Sequence, residues 1–522
     1  MLYNSIAKCR DYFNRLQTEE NWFRFGKTFK TRNKYYYFDT GTGKIFEVNY
    51  NVYRVLDCIL KTNDFKNLSA IGLDSDEIES ALYEIEETVK QEKILSATKM
   101  KSMTGAHVHQ LQENLDSKLN QITLELTERC NLRCKYCLYA EKRSEYRNFG
   151  NIDMTYDIAI RAVDFLFKHS KDSPIIYVGF YGGEPLLRFD LVKDVTDYTI
   201  NKAENEGRRV IFSITTNLTL LTKEMAEYFA NIEDFTVMIS LDGPKEIHDE
   251  HRVFSDGTGS FDSVMKGIEY LNDAYKATKK QNMVVVSLVI SHPYTSEKFD
   301  EIDIFFKSLR DTVISPAIQA SYVSYDPEKE SYIEINDRIE NKLDYEPTIR
   351  DDPLELWGIG DYDFNHDNRF AHNYIERPLL FIHNRQILNR PTENYFFMGC
   401  CIPGARKAYI TTTGNILPCE RIGTLAAIGN VFDGYDVAKI KKIYVDDYMT
   451  ESLIYCSECW AATLCTNCYD YCFNLEGEID FSYRHRKCRN TRKQLETDLI
   501  YYHELLEHAP RHINKLNDMV FV

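Results

Sequence analysis

Leu126-Thr-Glu-Arg-Cys130-Asn-Leu-Arg-Cys134-Lys-Tyr-Cys137 decides how this chain is read. Three thiols within eight residues follow directly on Ile122–Leu126, whose alternation predicts a β-strand. Thiolates this close can each bind one iron of a four-iron cluster. The spacing offers no fourth ligand, so one iron would stay open to a chelating substrate. A zinc site would want a fourth Cys or His nearby, and none occurs before His169.

Downstream, the pattern predicts five more strands: Ile175–Phe180, Val210–Thr215, Phe235–Ser240, Val284–Ile290 and Val313–Gln319. Helical periodicity falls between them near 154–169, 189–206, 222–230, 261–275 and 296–309. Repeated strand–helix units imply parallel strands with right-handed crossovers, and ligands of such folds gather at the strands' C-terminal ends. Polar and glycine-rich segments sit there. Gly182-Gly183-Glu184 ends the second strand, where glycine lets backbone approach a ligand and a carboxylate can hold an ammonium. Thr216 and Asn217 end the third strand, and Ser240 and Asp242 close the fourth. His248-Asp-Glu-His-Arg252 follows, with an arginine suited to a carboxylate.

The chain holds 14 cysteines. Disulfides are disfavoured inside cells, so clustered cysteines there indicate metal. Cys400, Cys401 and Cys419 precede Cys456-x2-Cys459-x5-Cys465, with Cys468, Cys472 and Cys488 beyond. Arg406–Glu420 reads as a hairpin turning at Thr413-Gly414-Asn415. A pair of zinc knuckles is the alternative for this field.

Residues 1–24 predict an N-terminal helix. Residues 25–98 follow as a hairpin (Lys34–Asp39 and Ile45–Asn49) with helices Val52–Lys61 and Ser75–Lys93. Residues 99–120 read as a linker, 121–325 as the strand–helix core, 326–398 as an unassigned bridge, 399–489 as the cysteine-rich domain and 490–522 as a C-terminal helix. A length of 522 residues exceeds one hydrophobic core. The net charge of −17 argues against nucleic acid as a partner. No signal peptide and no membrane-spanning run is evident, so a cytoplasmic protein is expected.

The CxxxCxxC loop resembles the signature of radical SAM enzymes, and the downstream field is similar to their SPASM extension. The resemblance implies an α/β fold: a partial (β/α)6 radical SAM barrel with a C-terminal Cys-rich SPASM domain. It also implies three [4Fe-4S] clusters and S-adenosyl-L-methionine (SAM). Cys130, Cys134 and Cys137 would hold the SAM-binding cluster. Tyr136 would sit near the adenine, with Gly182, Gly183, Glu184, Thr216, Asn217, Ser240, Asp242 and Arg252 around the cofactor. Cys401 or Cys400, Cys419 and Cys468 or Cys472 would serve auxiliary cluster I, and Cys456, Cys459, Cys465 and Cys488 cluster II. Residues 25–98 resemble the winged-helix-like RiPP recognition element, which binds a precursor's leader peptide by strand addition. The family reading is a sactipeptide or ranthipeptide-type maturase that closes a Cys thioether on a ribosomal precursor peptide, with a flavodoxin- or ferredoxin-type electron donor. An anaerobic sulfatase-maturing enzyme is the alternative; that family carries an Asp base after the cysteine equivalent to Cys419, where this chain has Glu420. A non-catalytic iron–sulfur electron carrier is the alternative from another class.

Overall fold

The computed structural model describes residues 2–19, 22–24, 26–62, 64–137, 139, 149–278, 280, 283–291, 295–309, 318–322, 378–397, 399–474, 477–508 and 510–517. After a helix at Leu2–Glu19, the N-terminal unit forms a three-stranded antiparallel sheet: β1 (Gly26–Lys30), β2 (Tyr35–Asp39) and β3 (Ile45–Val48), in that order. The β2–β3 hairpin follows its aromatic runs; β1, with two lysines in five residues, gave no comparable signal. Asp39 fastens the turn. Its Oδ2 accepts from the Thr42 amide (2.8 Å) and hydroxyl (2.7 Å), while Oδ1 accepts from the Leu95 amide (2.8 Å). Helices Tyr50–Thr62 and Ser75–Glu92 pack their apolar faces together with Tyr37 into a separate small core, which also buries Cys9 and Cys58. A capping box at Asp74 and Glu77 starts the second helix.

The main sheet contains, among the described residues, ten strands. Six are parallel and run in sequence order: β4 (Gln121–Glu125), β5 (Ile175–Tyr181), β6 (Arg209–Thr216), β7 (Phe235–Ser240), β8 (Val284–Ile290) and β9 (Ile318–Tyr322). The last was expected at Val313–Gln319, of which residues 313–317 lie outside the described residues. Helices Tyr156–His169, Phe189–Glu206, Lys223–Asn231, Phe261–Ala277 and Ser296–Ser308 connect these strands. Inward residues such as Ile122, Leu124, Val178, Phe212, Ile214, Val237, Ile239, Val286 and Leu288 are fully buried. On the far side, β10 (Lys407–Ile410) pairs parallel to β4, and β11 (Asn415–Leu417), β12 (Gly429–Asn430) and β13 (Gly434–Tyr435) extend the sheet antiparallel. The expected cysteine-rich hairpin is therefore continuous with the strand that leads into Cys130.

Two expectations change. Residues 99–120, read as a linker, contain a strand, Ser102–Thr104, paired with Asn394–Phe396, and short helices Ala106–His109 and Leu111–Ser117. Leu111, Leu115 and Leu119 anchor them in the main core, a repeat too brief to stand out among polar neighbours. The C-terminal helix, expected over 490–522, begins at Phe481 and runs to His508, so Cys488 lies on it. At 28 residues it spans about 42 Å and reaches the N-terminal sheet. There Glu504 accepts from the Arg32 amide (2.6 Å), Glu507 from the Tyr36 hydroxyl (2.8 Å), and the His503 ring packs on Phe29 and Tyr36. Of the bridge at 326–398, residues 326–377 lie outside the described residues. Among the described residues no helix is long and apolar enough to cross a membrane.

Candidate functional site

The Cys130–Cys137 loop leaves the C-terminal end of β4 and is held by backbone pairing to 251–254. Arg133 donates to the Val253 carbonyl (2.7 Å) and Lys135 to the His251 carbonyl (3.0 Å). Within the loop, the Leu132 amide points at Cys130 Sγ (3.4 Å) and the Tyr139 amide at Cys137 Sγ (3.5 Å). Burial, helped by the Glu184 carboxylate, pushes the Cys130 thiol up to about 12; burial pushes Cys134 up to about 11. Cluster binding here would displace those protons. The donor set, three partly buried sulfurs with amides aimed at two of them, fits a four-iron cluster with one open iron.

Gly182 and Gly183 bring two backbone segments close together. Their close neighbour is the chain itself. The Gly183 amide donates to the Thr127 carbonyl (2.7 Å) and the Glu184 amide to the Arg129 carbonyl (2.8 Å). A Cβ on Gly183 would stand 2.1 Å from the Arg129 carbonyl oxygen, and one on Gly182 (φ +133°) 2.5 Å from that of Thr127. The glycines thus let β5 clamp the three residues that launch Cys130. Glu184 is fully buried, with one oxygen accepting from the Leu186 amide (2.9 Å) and the Thr216 hydroxyl (2.7 Å) and the other from the Asn217 amide (2.8 Å). Burial still raises it to about 7. Asn217, so positioned, donates to Asn131 Oδ1 (2.9 Å) and lies 3.9 Å from Cys130 Sγ.

Past β7, Asp242 gathers the remaining expected residues. The Arg252 guanidinium contacts it through Nε (2.8 Å) and Nη2 (3.1 Å), the Tyr136 hydroxyl donates to it, and so does the Val289 amide (3.0 Å). Arg252 also lies over the Tyr136 ring, 5.3 Å from its centroid. Burial works against the arginine's charge, but Asp242 outweighs it, and the guanidinium stays protonated beside Cys134. His248 fixes the corner: its Nδ1 accepts from the Asp242 amide (3.3 Å) and Nε2 meets Ser260 Oγ (3.0 Å). Ser240 is partly buried at the end of β7, in register with Ser287.

In the second field, Cys456, Cys459, Cys465 and Cys488 line one cavity of about 120 Å³ with Tyr448, Phe481 and Arg484. Cys468 and Cys472 stand outside it: Cys468 Sγ contacts Asp470 Oδ1 (2.9 Å), and Cys472 is fully buried. Cys400 Sγ faces the Asn467 carbonyl (3.9 Å), Cys401 is exposed, and Cys419 is partly buried beside Glu420, whose carboxylate lies 3.7 Å from Lys407 Nζ. Burial pushes Cys400 and Cys456 up to about 12 and Cys419 to about 11. Among the described residues no three of these sulfurs lie within 4.8 Å of one another. A tetrahedral zinc would set its sulfurs about 3.8 Å apart. Four thiols around one cavity supply the four ligands that an iron–sulfur cluster needs.

Two groups escaped the sequence reading. Arg484 is buried beside the four-cysteine cavity, one basic residue in a run of them. The Tyr139 hydroxyl meets both Glu125 Oε1 (2.9 Å) and the Tyr409 hydroxyl (2.8 Å), a contact between residues 270 positions apart that no local pattern announces.

Residues 124–303 match the model of the Radical SAM superfamily, and the chain therefore carries a radical SAM domain. The chain is 29% identical to the cysteine-type anaerobic sulfatase-maturating enzyme of Clostridium novyi, over 58% of this chain and 73% of the relative. It is 25% identical to the radical SAM cyclopropyl synthase TigE of Paramaledivibacter caminithermalis, over 52% of this chain and 56% of that one. Among solved structures, anSMEcpe with bound AdoMet superposes with a TM-score of 0.50 at 20% identity, covering 76% of this chain and all of that one. That likeness concerns the fold.

Proposed function

We propose that this radical SAM protein is a maturase that modifies a ribosomally made precursor peptide, with a Cys thioether as the product. The observation that carries the reading is the presence of two separate thiol sets: three on the β4 loop with no fourth ligand, and four around one cavity in the C-terminal field. Cys130, Cys134 and Cys137 would hold the SAM-binding cluster, Cys456, Cys459, Cys465 and Cys488 one auxiliary cluster, and Cys419 with members of Cys400, Cys401, Cys468 and Cys472 another. When bound, the first cluster and SAM supply a 5′-deoxyadenosyl radical. The chain's own residues prepare the site. Glu184 and Asn217 hold the loop at Cys130, and the Asp242–Arg252 pair places a fixed cation beside Cys134. Closing a thioether removes two hydrogens from the peptide, so electrons must leave, which gives auxiliary clusters and a flavodoxin- or ferredoxin-type partner a task. Glu420, next to Cys419, would take up a substrate proton.

The N-terminal sheet supports a peptide substrate. Strand β3 is terminal in its sheet, and among the described residues no strand pairs with its outer side. A leader added there would gain backbone hydrogen bonds. The sulfatase-maturating relative favours a second reading, oxidation of a Cys or Ser to formylglycine. Incubating the reconstituted protein with SAM, reductant and a short Cys-rich peptide, sought in the neighbouring reading frames, separates the two. A product short of two hydrogens with no free thiol supports the thioether, and a new aldehyde supports formylglycine. No peptide modification beside normal SAM cleavage would refute the maturase reading.

A further inference from the structure

Arg484 is only 3% exposed, yet among the described residues no carboxylate lines the cavity it enters. Its Nη1 donates to the Tyr448 hydroxyl (2.9 Å) and its Nη2 to Cys465 Sγ (3.5 Å). The guanidinium lies against the Phe481 ring, 4.6 Å from the centroid, which fixes its plane. Its Nε is buried and has no hydrogen-bond partner among the described residues. A buried guanidinium without a counter-charge is strongly disfavoured, and each of its donors needs an acceptor. Inside this cavity the groups able to supply negative charge are the sulfurs of Cys456, Cys459, Cys465 and Cys488, and outside it Cys472 and Cys400 also act on the guanidinium. Arg484 stands one turn before Cys488 on the same helix, so a single rigid element carries both the ligand and the cation.

We propose that Arg484 is the counter-charge of the iron–sulfur cluster held by Cys456, Cys459, Cys465 and Cys488, donating to the Cys465 sulfur through Nη2 and to the cluster through Nε, and that it raises that cluster's reduction potential. This rests on the auxiliary-cluster reading above. Reduction adds one electron and no proton, so the reduced cluster carries one more negative charge than the oxidised one. A fixed cation beside the cluster stabilises the reduced form more, and hydrogen bonds to cluster sulfurs act in the same direction. The cluster becomes a better acceptor for electrons released by the substrate than it would be without the arginine.

The test is an anaerobic redox titration of the full-length, reconstituted protein, followed by electron paramagnetic resonance and accompanied by iron counts. The comparison is between wild type, Arg484→Met, Arg484→Gln and Arg484→Lys. The signal to follow is the one that Cys459→Ala removes. With iron retained, Arg484→Met should move that signal's midpoint to more negative potential, while Arg484→Lys should stay nearer wild type because it keeps the charge. Should the Met variant lose iron, Gln and Lys, a neutral and a charged donor, are compared directly, and the Lys variant should have the higher potential. Equal potentials across the loaded variants overturn the proposal alone. A wild type from which neither Cys456→Ala nor Cys459→Ala removes iron overturns the auxiliary-cluster reading and the proposal with it.

Discussion

Replacing Gly183 by Ala should damage cluster loading itself rather than SAM affinity alone. The added Cβ would lie 2.1 Å from the Arg129 carbonyl oxygen, 2.5 Å from its carbon and 2.9 Å from the Glu128 oxygen. All are backbone atoms, so no side chain can swing aside. An ordinary carbon–oxygen contact needs about 3.3 Å, so the two segments must part by roughly 1.2 Å. That separation breaks the bonds from the Gly183 and Glu184 amides to Thr127 and Arg129. Two buried hydrogen bonds at about 1 kcal/mol each and an overpacking cost of about 2 kcal/mol give about 4 kcal/mol in all. The displaced residues end one position before Cys130. Gly207→Ala is the control: it too has positive φ (+64°), but a Cβ there meets nothing within 4 Å, so the cost should be the left-handed backbone alone, about 1–2 kcal/mol. Urea unfolding followed by circular dichroism, iron counts after anaerobic reconstitution and SAM cleavage are measured on both. Gly183→Ala should be the less stable and should lose about four iron atoms. A Gly183→Ala protein matching Gly207→Ala in midpoint, iron and SAM cleavage would refute the view that these glycines serve the chain's own backbone.

Replacing Cys130, Cys134 and Cys137 together by Ala should also remove about four iron atoms and should abolish SAM cleavage, measured by chromatography of 5′-deoxyadenosine. Cys456→Ala should spare the SAM site's ligands but stop peptide modification; full product by mass spectrometry would show that cavity dispensable. In the N-terminal sheet, Asp39 donates to the Lys44 carbonyl, so bonded pairs alternate to Tyr37/Phe46 and Tyr35/Val48, leaving the Ile45 and Glu47 amides pointing outward. Glu47→Pro should therefore weaken precursor binding in a fluorescence titration while the protein stays folded, whereas Val48→Pro should break the sheet itself. Burial holds His503 down to about 4, so it is neutral when folded but takes a proton near 6.5 when unfolded. Its contribution is present above 6.5 and lost as pH falls toward 4, at up to about 1.4 kcal/mol per pH unit. His503→Phe should flatten that part of the stability profile in urea titrations at pH 7, 6 and 5.

What could be read from sequence was whatever repeats or clusters locally. The six core strands and their helices announce themselves by alternation and helical spacing, and the cysteines by clustering, whereas the grouping of Cys456, Cys459, Cys465 and Cys488 came from the resemblance to the SPASM pattern, since Cys468 and Cys472 stand nearer to Cys465 in sequence than Cys488 does. What could not be read was pairing at a distance. Lys407–Ile410 looks like half of a hairpin, and nothing in those residues tells that its other edge joins Gln121–Leu124. Gly182 and Gly183 advertise close approach, but whether to a ligand or to Thr127 and Arg129 depends on a neighbouring strand. Arg484 is the sharpest case. In sequence it belongs to a basic, polar stretch of the cysteine-rich domain. In the fold that stretch is the start of a 28-residue helix, and one turn of offset puts Arg484 and Cys488 on the same cavity. The same helix carries Glu504 and Glu507 to the N-terminal sheet at its far end. A residue's charge could thus be known without its address, and here the address, a cavity lined by four cysteines and by no carboxylate among the described residues, is what gives the charge a use.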